Sequence, residues 1–221
     1  MVDSGRLAEF WDSEAATYDR KTSLLERRLF APHRAWVGER ARGHVVDVAC
    51  GTGANLDHFP PGTRVTGVDF SPAMLTEFAS RASALRIPAE TRQADAGRLP
   101  LDDASADTVL CTLGLCSIDG VEGALSEMVR VLRPGGALLL LDHVVSTSVL
   151  VRAGQRMLET VTVSRFNEHF TRRPLDVVTA LAAEDVLDVV ETRRRLAGTL
   201  ESVHATRAET EVLRREMRGR R

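Results

Sequence analysis

Lysine is almost missing from this chain: of its 29 basic residues only Lys21 is one. No function requires every cation to be a guanidinium, so the skew reflects base composition more than chemistry. Cysteine is scarce as well. Cys50, Cys111 and Cys116 make an odd count inside apolar segments, which excludes a secreted disulfide framework, and no ligand-spaced cysteine or histidine pairs predict a metal site. Aromatics are 5% of residues and the net charge is -2, with no basic stripe interleaved with aromatics, so extended nucleic-acid binding lacks its electrostatic footprint. Long apolar runs are absent: none approaches the roughly 18 residues of a membrane span. Asp3, Arg6 and Glu9 break the basic-then-apolar layout of a signal peptide. A soluble cytoplasmic protein with no membrane anchor is expected, with a small molecule rather than nucleic acid as partner, as a monomer or homodimer.

What is there suits one globular domain: 221 residues, 43% hydrophobic and 27% charged. A chain of this size hides roughly 70% of its unfolded surface, enough for a core without metal or disulfide support. Leu7, Phe10, Trp11 and Ala15, then Leu25, Leu29, Trp36 and Val37, recur at helical spacing and make residues 1–40 a helical segment. From residue 44 short β-branched runs alternate with helical stretches. Strands are predicted at 45–49, 64–68, 89–94, 107–113 and 137–141, with a helix expected after each of the first two. Ser71 as N-cap and Pro72 at the first helical position start one helix, and residues 121–132 form another, stopped by Pro134-Gly135-Gly136. Residues 147–163 and 174–183 read as helices, 186–191 and 200–206 as strands, and 207–218 as a charged terminal helix. The fold class is therefore α/β: a seven-stranded, mostly parallel sheet between helical layers. One domain divides into a helical lid (1–40), a core (41–145), an acceptor-side insertion (146–184) and C-terminal strands and helix (185–221).

Ligands of open α/β sheets bind above the carboxyl ends of the strands, where a glycine turn aims backbone N–H groups at them. Gly51 and Gly53 make such a turn after the first strand. A dinucleotide fingerprint requires a third glycine at position 56, which is Leu56, so a nicotinamide or flavin enzyme is not expected. Instead Asp47-Val48-Ala49-Cys50-Gly51-Thr52-Gly53 is followed by Asp69, eighteen residues past Gly51, and by Asp95-Ala96 after the third strand. Each residue alone is ordinary turn chemistry. Their order, at the ends of three successive strands and ahead of Leu132-Arg133-Pro134-Gly135-Gly136, is specific.

This constellation resembles the class I S-adenosylmethionine-dependent methyltransferases, of the type 11 group, which have a Rossmann-like sheet. The resemblance implies S-adenosyl-L-methionine as cofactor and S-adenosyl-L-homocysteine as product. It places the glycine turn against the amino-acid part of the cofactor, Asp69 on both ribose hydroxyls, Asp95 and the Ala96 N–H at the adenine, and Asp47 near the ammonium. Phe70, Thr112 and Tyr18 join the cofactor-binding residues. A carboxylate accepting from two vicinal hydroxyls is a charge-assisted arrangement, stronger than neutral pairs.

A closer likeness over about residues 45–145 rests on Gly51-Thr52-Gly53-Ala54-Asn55, Phe59-Pro60-Pro61-Gly62, the stretch from Val109 to Ser117 with its Cys-Thr-Leu-x-Leu-Cys-Ser, and Asp142-His143-Val144. These resemble the methyltransferase-like thiol S-methyltransferases and their bacterial relatives; ubiquinone and menaquinone C-methyltransferases share the Asp47 to Gly53 run. Methylation of a small apolar acceptor, a thiol first, is implied, with N- or O-methylation of a metabolite or phospholipid amine as the alternative and a cofactor-binding regulator as the reading from another class. A thiol ionises near neutral pH with little help, whereas an alcohol or phenol wants a positioned base. His143 is the first candidate base and His169 the second. Trp11, Leu113 and Leu115 are expected at the acceptor site, and Tyr18, the only tyrosine, at the cofactor carboxylate or the acceptor wall. The three cysteines read as buried structural thiols.

Overall fold

Apolar runs separated by helices come together in one seven-stranded sheet, which the computed structural model describes over residues 4–209. The N-terminal segment is α1 (Ser4–Leu25), a π-helical turn (Glu26–Phe30) and α2 (Ala31–Gly38). Then follow β1 (His44–Val48), β2 (Arg64–Asp69), α3 (Pro72–Leu85), β3 (Ala89–Gln93), β4 (Ala106–Thr112), α4 (Val121–Val131) and β5 (Leu132–His143). The chain continues through α5 (Val149–Phe166), α6 (Pro174–Ala183), β6 (Leu187–Arg195) and β7 (Leu200–Arg207). The spatial order is β3-β2-β1-β4-β5-β7-β6, with β7 antiparallel to both neighbours and the other pairings parallel.

Alternate residues of the central strands feed two cores. Val46, Val48, Val109, Cys111, Leu138 and Leu140 pack with Leu125 and Met128 of α4 on one face. Val45, Leu110, Leu139 and Leu141 pack with Phe78 of α3 and with Trp36 and Val37 of α2 on the other. Strands that bury both faces are continuous apolar runs, as β4 and β5 are.

Three expectations are corrected here. No α-helix follows β1: only a single 3₁₀ turn, Leu56–His58, precedes Pro60-Pro61, whose rings cannot continue a helix. β5 begins at Leu132 rather than 137, because Leu132 pairs with Ala106 before the Pro-Gly-Gly step and the ladder resumes at Thr108 and Ala137. Arg207 ends β7, and the charged helix expected over 207–218 otherwise falls outside the described residues past Glu209. The N-cap reading of Ser71 holds: its Oγ accepts from Met74 N at 3.1 Å.

Candidate active site

Strand order reverses between β1 and β4, and the loops leaving their carboxyl ends splay apart there. The β1 loop is forced into left-handed backbone at Ala49, Gly51 and Gly53, with φ of 53°, 52° and 83°. The two glycines serve different needs. A Cβ at Gly53 would stand 2.7 Å from Leu56 Cδ1, so that glycine permits packing; at Gly51 it would meet nothing within 4 Å, so that glycine leaves open space.

Asp69, at the end of β2, steadies this loop: its Oδ2 accepts from Gly51 N at 2.9 Å and its Oδ1 from Ser71 N at 3.0 Å. Burial raises its pKa, against the pull of those N–H groups. Beneath the loop lies a polar floor. Asp47 is fully buried and accepts from Asn55 Nδ2 at 3.1 and 2.9 Å. Arg34, itself only 6% exposed, donates from Nη1 to Asn55 Oδ1 at 2.8 Å and to Thr112 Oγ1 at 2.5 Å, and from Nε to Glu26 at 2.8 Å. Burial pushes Asp47 up to about 7 although Asn55 and the Arg34 charge oppose it.

Two cavities adjoin above this floor. One, of about 610 Å³, is bounded by Trp11 and Tyr18 of α1, Arg34, the β1 loop, Met74, and Leu113 to Gly114 after β4. The other, of about 740 Å³, is bounded by Leu7, Ala94 to Ala96 after β3, and Ile118 to Asp119. Ala49, Asp69, Phe70 and Ser117 line both, so Asp69 stands in the partition.

Residues 46–140 match the protein family described as a methyltransferase domain. The chain is 35% identical to a thiol S-methyltransferase of Homo sapiens over 130 residues, 58% of this chain and 53% of that protein. It is 35% identical to a demethylmenaquinone methyltransferase of Deinococcus radiodurans over 148 residues, 63% of this chain and 61% of that one. The match thus spans about half to three fifths of these relatives. Among solved structures, the geranyl diphosphate C-methyltransferase from Streptomyces coelicolor A3(2), in complex with Mg2+, geranyl diphosphate and S-adenosyl-L-homocysteine, superposes with a TM-score of 0.70 at 17% identity, covering 94% of this chain and 100% of that one. That likeness is one of fold.

Within this matched region and its helical roof, Trp11, Tyr18, Gly51, Asp69, Phe70, Thr112 and Leu113 line the first cavity, and Asp95 and Ala96 the second. Five expected residues do not reach either. Asp47 lies under Asn55, Gly53 under Leu56, and Leu115 is fully buried in the core against α4. His143 is wedged edge-on between Phe30 and Phe170, with ring centroids at 5.6 and 5.3 Å. Burial, then the Arg34 charge, lowers it to about 4, and its Nδ1 is buried without a hydrogen-bond partner. His169 lines neither cavity, and its backbone N–H donates to Cys116 O at 2.9 Å. The bases expected from sequence are thus one packed side chain and one loop residue.

Asp142 instead acts as a clamp, accepting from Cys116 N at 3.1 Å and His143 N at 2.7 Å. All three cysteines are buried, and burial pushes their thiols well above the usual range, as suits structural residues. Tyr18 is raised to about 12, chiefly by burial, and stays a neutral phenol.

Arg34 and Asn55 are the residues that sequence reasoning missed. A signal for Arg34 existed: with Phe30 and Val37 it continues an i, i+4, i+7 stripe, which puts a guanidinium on the buried face of α2. A buried charge needs partners, and here Glu26, Asn55 and Thr112 supply them.

Proposed function

We propose that this chain binds S-adenosylmethionine across the two cavities and moves its methyl group to a small, largely apolar acceptor, a thiol first. The observation that carries the cofactor reading is Asp69, buried in the partition beside the bare backbone of Gly51. Each of its oxygens holds one N–H and keeps a further lone pair, so two vicinal hydroxyls can be accepted without dismantling the loop. The second cavity, with Leu7, Val48, Val68 and Ile118 around Asp95, suits a flat heteroaromatic ring.

When bound, the cofactor supplies a sulfonium methyl that is already a strong electrophile. The protein's part is then alignment and exclusion of water. Trp11 and Tyr18 roof the first cavity with rings meeting edge-on at 5.9 Å, and Met74 and Leu113 add apolar wall. Among the described residues lining that cavity there is neither histidine nor lysine, and Tyr18 keeps its proton. With the Asp69 carboxyl of that wall assigned to the ribose hydroxyls, an acceptor sheds its own proton to water. Thiols, with ordinary pKa about 8.5, do so near neutrality; alcohols and amide nitrogens do not. The Arg34 guanidinium at the cavity wall favours an anionic sulfur further.

Methylation of a demethylmenaquinone, the substrate in the name of the Deinococcus relative, is the second reading, and N- or O-methylation of a metabolite or phospholipid amine the third. Calorimetry with S-adenosylhomocysteine, followed by turnover on matched thiols, phenols, amines and a demethylated quinol with products weighed by mass spectrometry, separates them. Failure to bind S-adenosylhomocysteine overturns the whole reading; binding with turnover of quinol but no thiol overturns the choice of acceptor.

A further inference from the structure

α5 is turned inside out. Its inward face, at i, i+4 and i+7, is Gln155, Glu159 and Thr162, all polar. Gln155 is buried, accepting from Ser146 N at 2.8 Å and donating to the carbonyls of Val144 at 2.9 Å and Phe170 at 3.0 Å. Glu159 accepts from Thr171 N at 2.7 Å, and Thr162 Oγ1 donates to the Glu168 carbonyl at 2.9 Å. The apolar residues point the other way: Leu150 is 85% exposed, Met157 78% and Val161 49%, a stripe at i, i+7 and i+11 that Leu158 widens. A globular helix normally buries that stripe, and a contiguous exposed one marks a surface that something covers.

The charges around the stripe say what. Arg156 and Arg165 are exposed, on either side of it, and neither has an ion-pair partner among the described residues. The one acid of α5, Glu159, faces inward. A second copy docking the same face would set arginine against arginine. Residues 210–221 of the chain itself, with five arginines against two glutamates, would do the same. An apolar stripe between unpaired cations fits an occupant that is apolar inside and anionic at its surface.

We propose that α5 lies in the plane of an anionic phospholipid bilayer, with Leu150, Met157 and Val161 in the acyl boundary and Arg156 and Arg165 at the headgroup phosphates. This is interfacial docking, not spanning, and agrees with the absence of any helix among the described residues that is long and apolar enough to cross a membrane. It stands apart from the reading of the cleft, since none of these five residues lines either cavity.

Flotation of the full chain with vesicles of phosphatidylcholine alone or mixed with phosphatidylserine tests it. Binding is expected only to the mixed vesicles, falling with added salt. Arg156→Gln with Arg165→Gln should weaken it about 25-fold, at about fivefold per cation, and Leu150→Ser with Met157→Ser and Val161→Ser about tenfold or more. All five side chains are solvent-facing, so both variants should keep the wild-type unfolding midpoint and S-adenosylhomocysteine affinity. No binding to mixed vesicles overturns the proposal, as does equal binding to neutral ones or unchanged binding by both variants. A concentration-dependent dimer that the serine variant abolishes, without vesicle binding, overturns it in favour of self-association.

Discussion

The buried carboxyl of Asp47 should make the protein less stable as pH rises. Burial raises its pKa from 3.8 to about 7, with Asn55 and Arg34 pulling down and Asp69 pushing up. Between the two values the native chain holds a proton that the unfolded chain has lost, so stability is fullest below about pH 4 and falls as pH climbs through about 7. Three pH units correspond to about 4 kcal/mol, of which roughly 3 kcal/mol falls between about pH 5 and pH 8.

Asp47→Asn removes the titration while keeping the shape of the floor. Urea unfolding of both chains at about pH 5 and about pH 8 isolates the effect, because Asp142, raised to about 6, contributes equally to each and cancels. Relative to wild type, the variant should gain roughly 3 kcal/mol over that interval, or about 8 °C in unfolding midpoint for a chain of this length. A stability difference that stays constant across the interval would refute the reasoning. It would mean that Asp47 is ionised throughout and that Arg34, two contacts away through Asn55, neutralises it directly.

Asp69→Asn should cut S-adenosylhomocysteine affinity about 100-fold, from two charge-assisted bonds at about 1.5 kcal/mol each; calorimetry showing a loss under about threefold would remove the ribose assignment. Gly51→Val puts a side chain into the open space beside the loop at a positive φ, so ligand binding should vanish while urea stability drops only about 1–2 kcal/mol. His143→Phe relieves a buried unpaired nitrogen between two aromatic rings. The unfolding free energy should rise by about 1–3 kcal/mol with turnover and its pH profile unmoved; a hundredfold fall in kcat would return His143 to the role of base.

The alternation of runs from residue 44 sufficed to read the sheet, because strands buried on both faces have nowhere to hide their composition. The glycine turn and Asp69 were legible for a related reason: left-handed backbone and an acid at a strand end are local demands that sequence spacing records. The placement of the two histidines was not legible, because a strand-end position says nothing about which way a ring turns, and Phe30 and Phe170, far apart in sequence, decide that for His143. The positions of Leu115 and Asp47 outside the cavities were hidden for a like reason. Each is one residue's alternation away from a neighbour that does line the cleft, and the loop's twist, not its composition, chooses between them. Arg34 lies on a helix reached through the π-helical turn at Glu26–Phe30, and its meeting with Thr112, 78 residues on, has no local signature.

That long reach ties the cleft's roof to its floor. Asp19 of α1 accepts from Thr52 Oγ1 at 2.6 Å in the β1 loop and pairs with Arg81 at 2.8 Å. Asp12 accepts from Ser71 Oγ just past β2 and from Ala73 N at 3.2 Å, while Arg34 bonds Thr112 at the end of β4. The N-terminal segment thus touches, through one side chain each, three of the four segments that bound the cavities; the one after β3 is not among them. The exposed pair Asp19–Arg81 contributes little, about 0–1 kcal/mol. Arg34 is different: once desolvated it cannot leave Glu26, Asn55 and Thr112 without stranding its own buried charge and two buried polar side chains. Loosening of the roof is therefore expected to begin at α1, which carries Trp11 and Tyr18 of the first cavity, before it reaches α2 and Arg34.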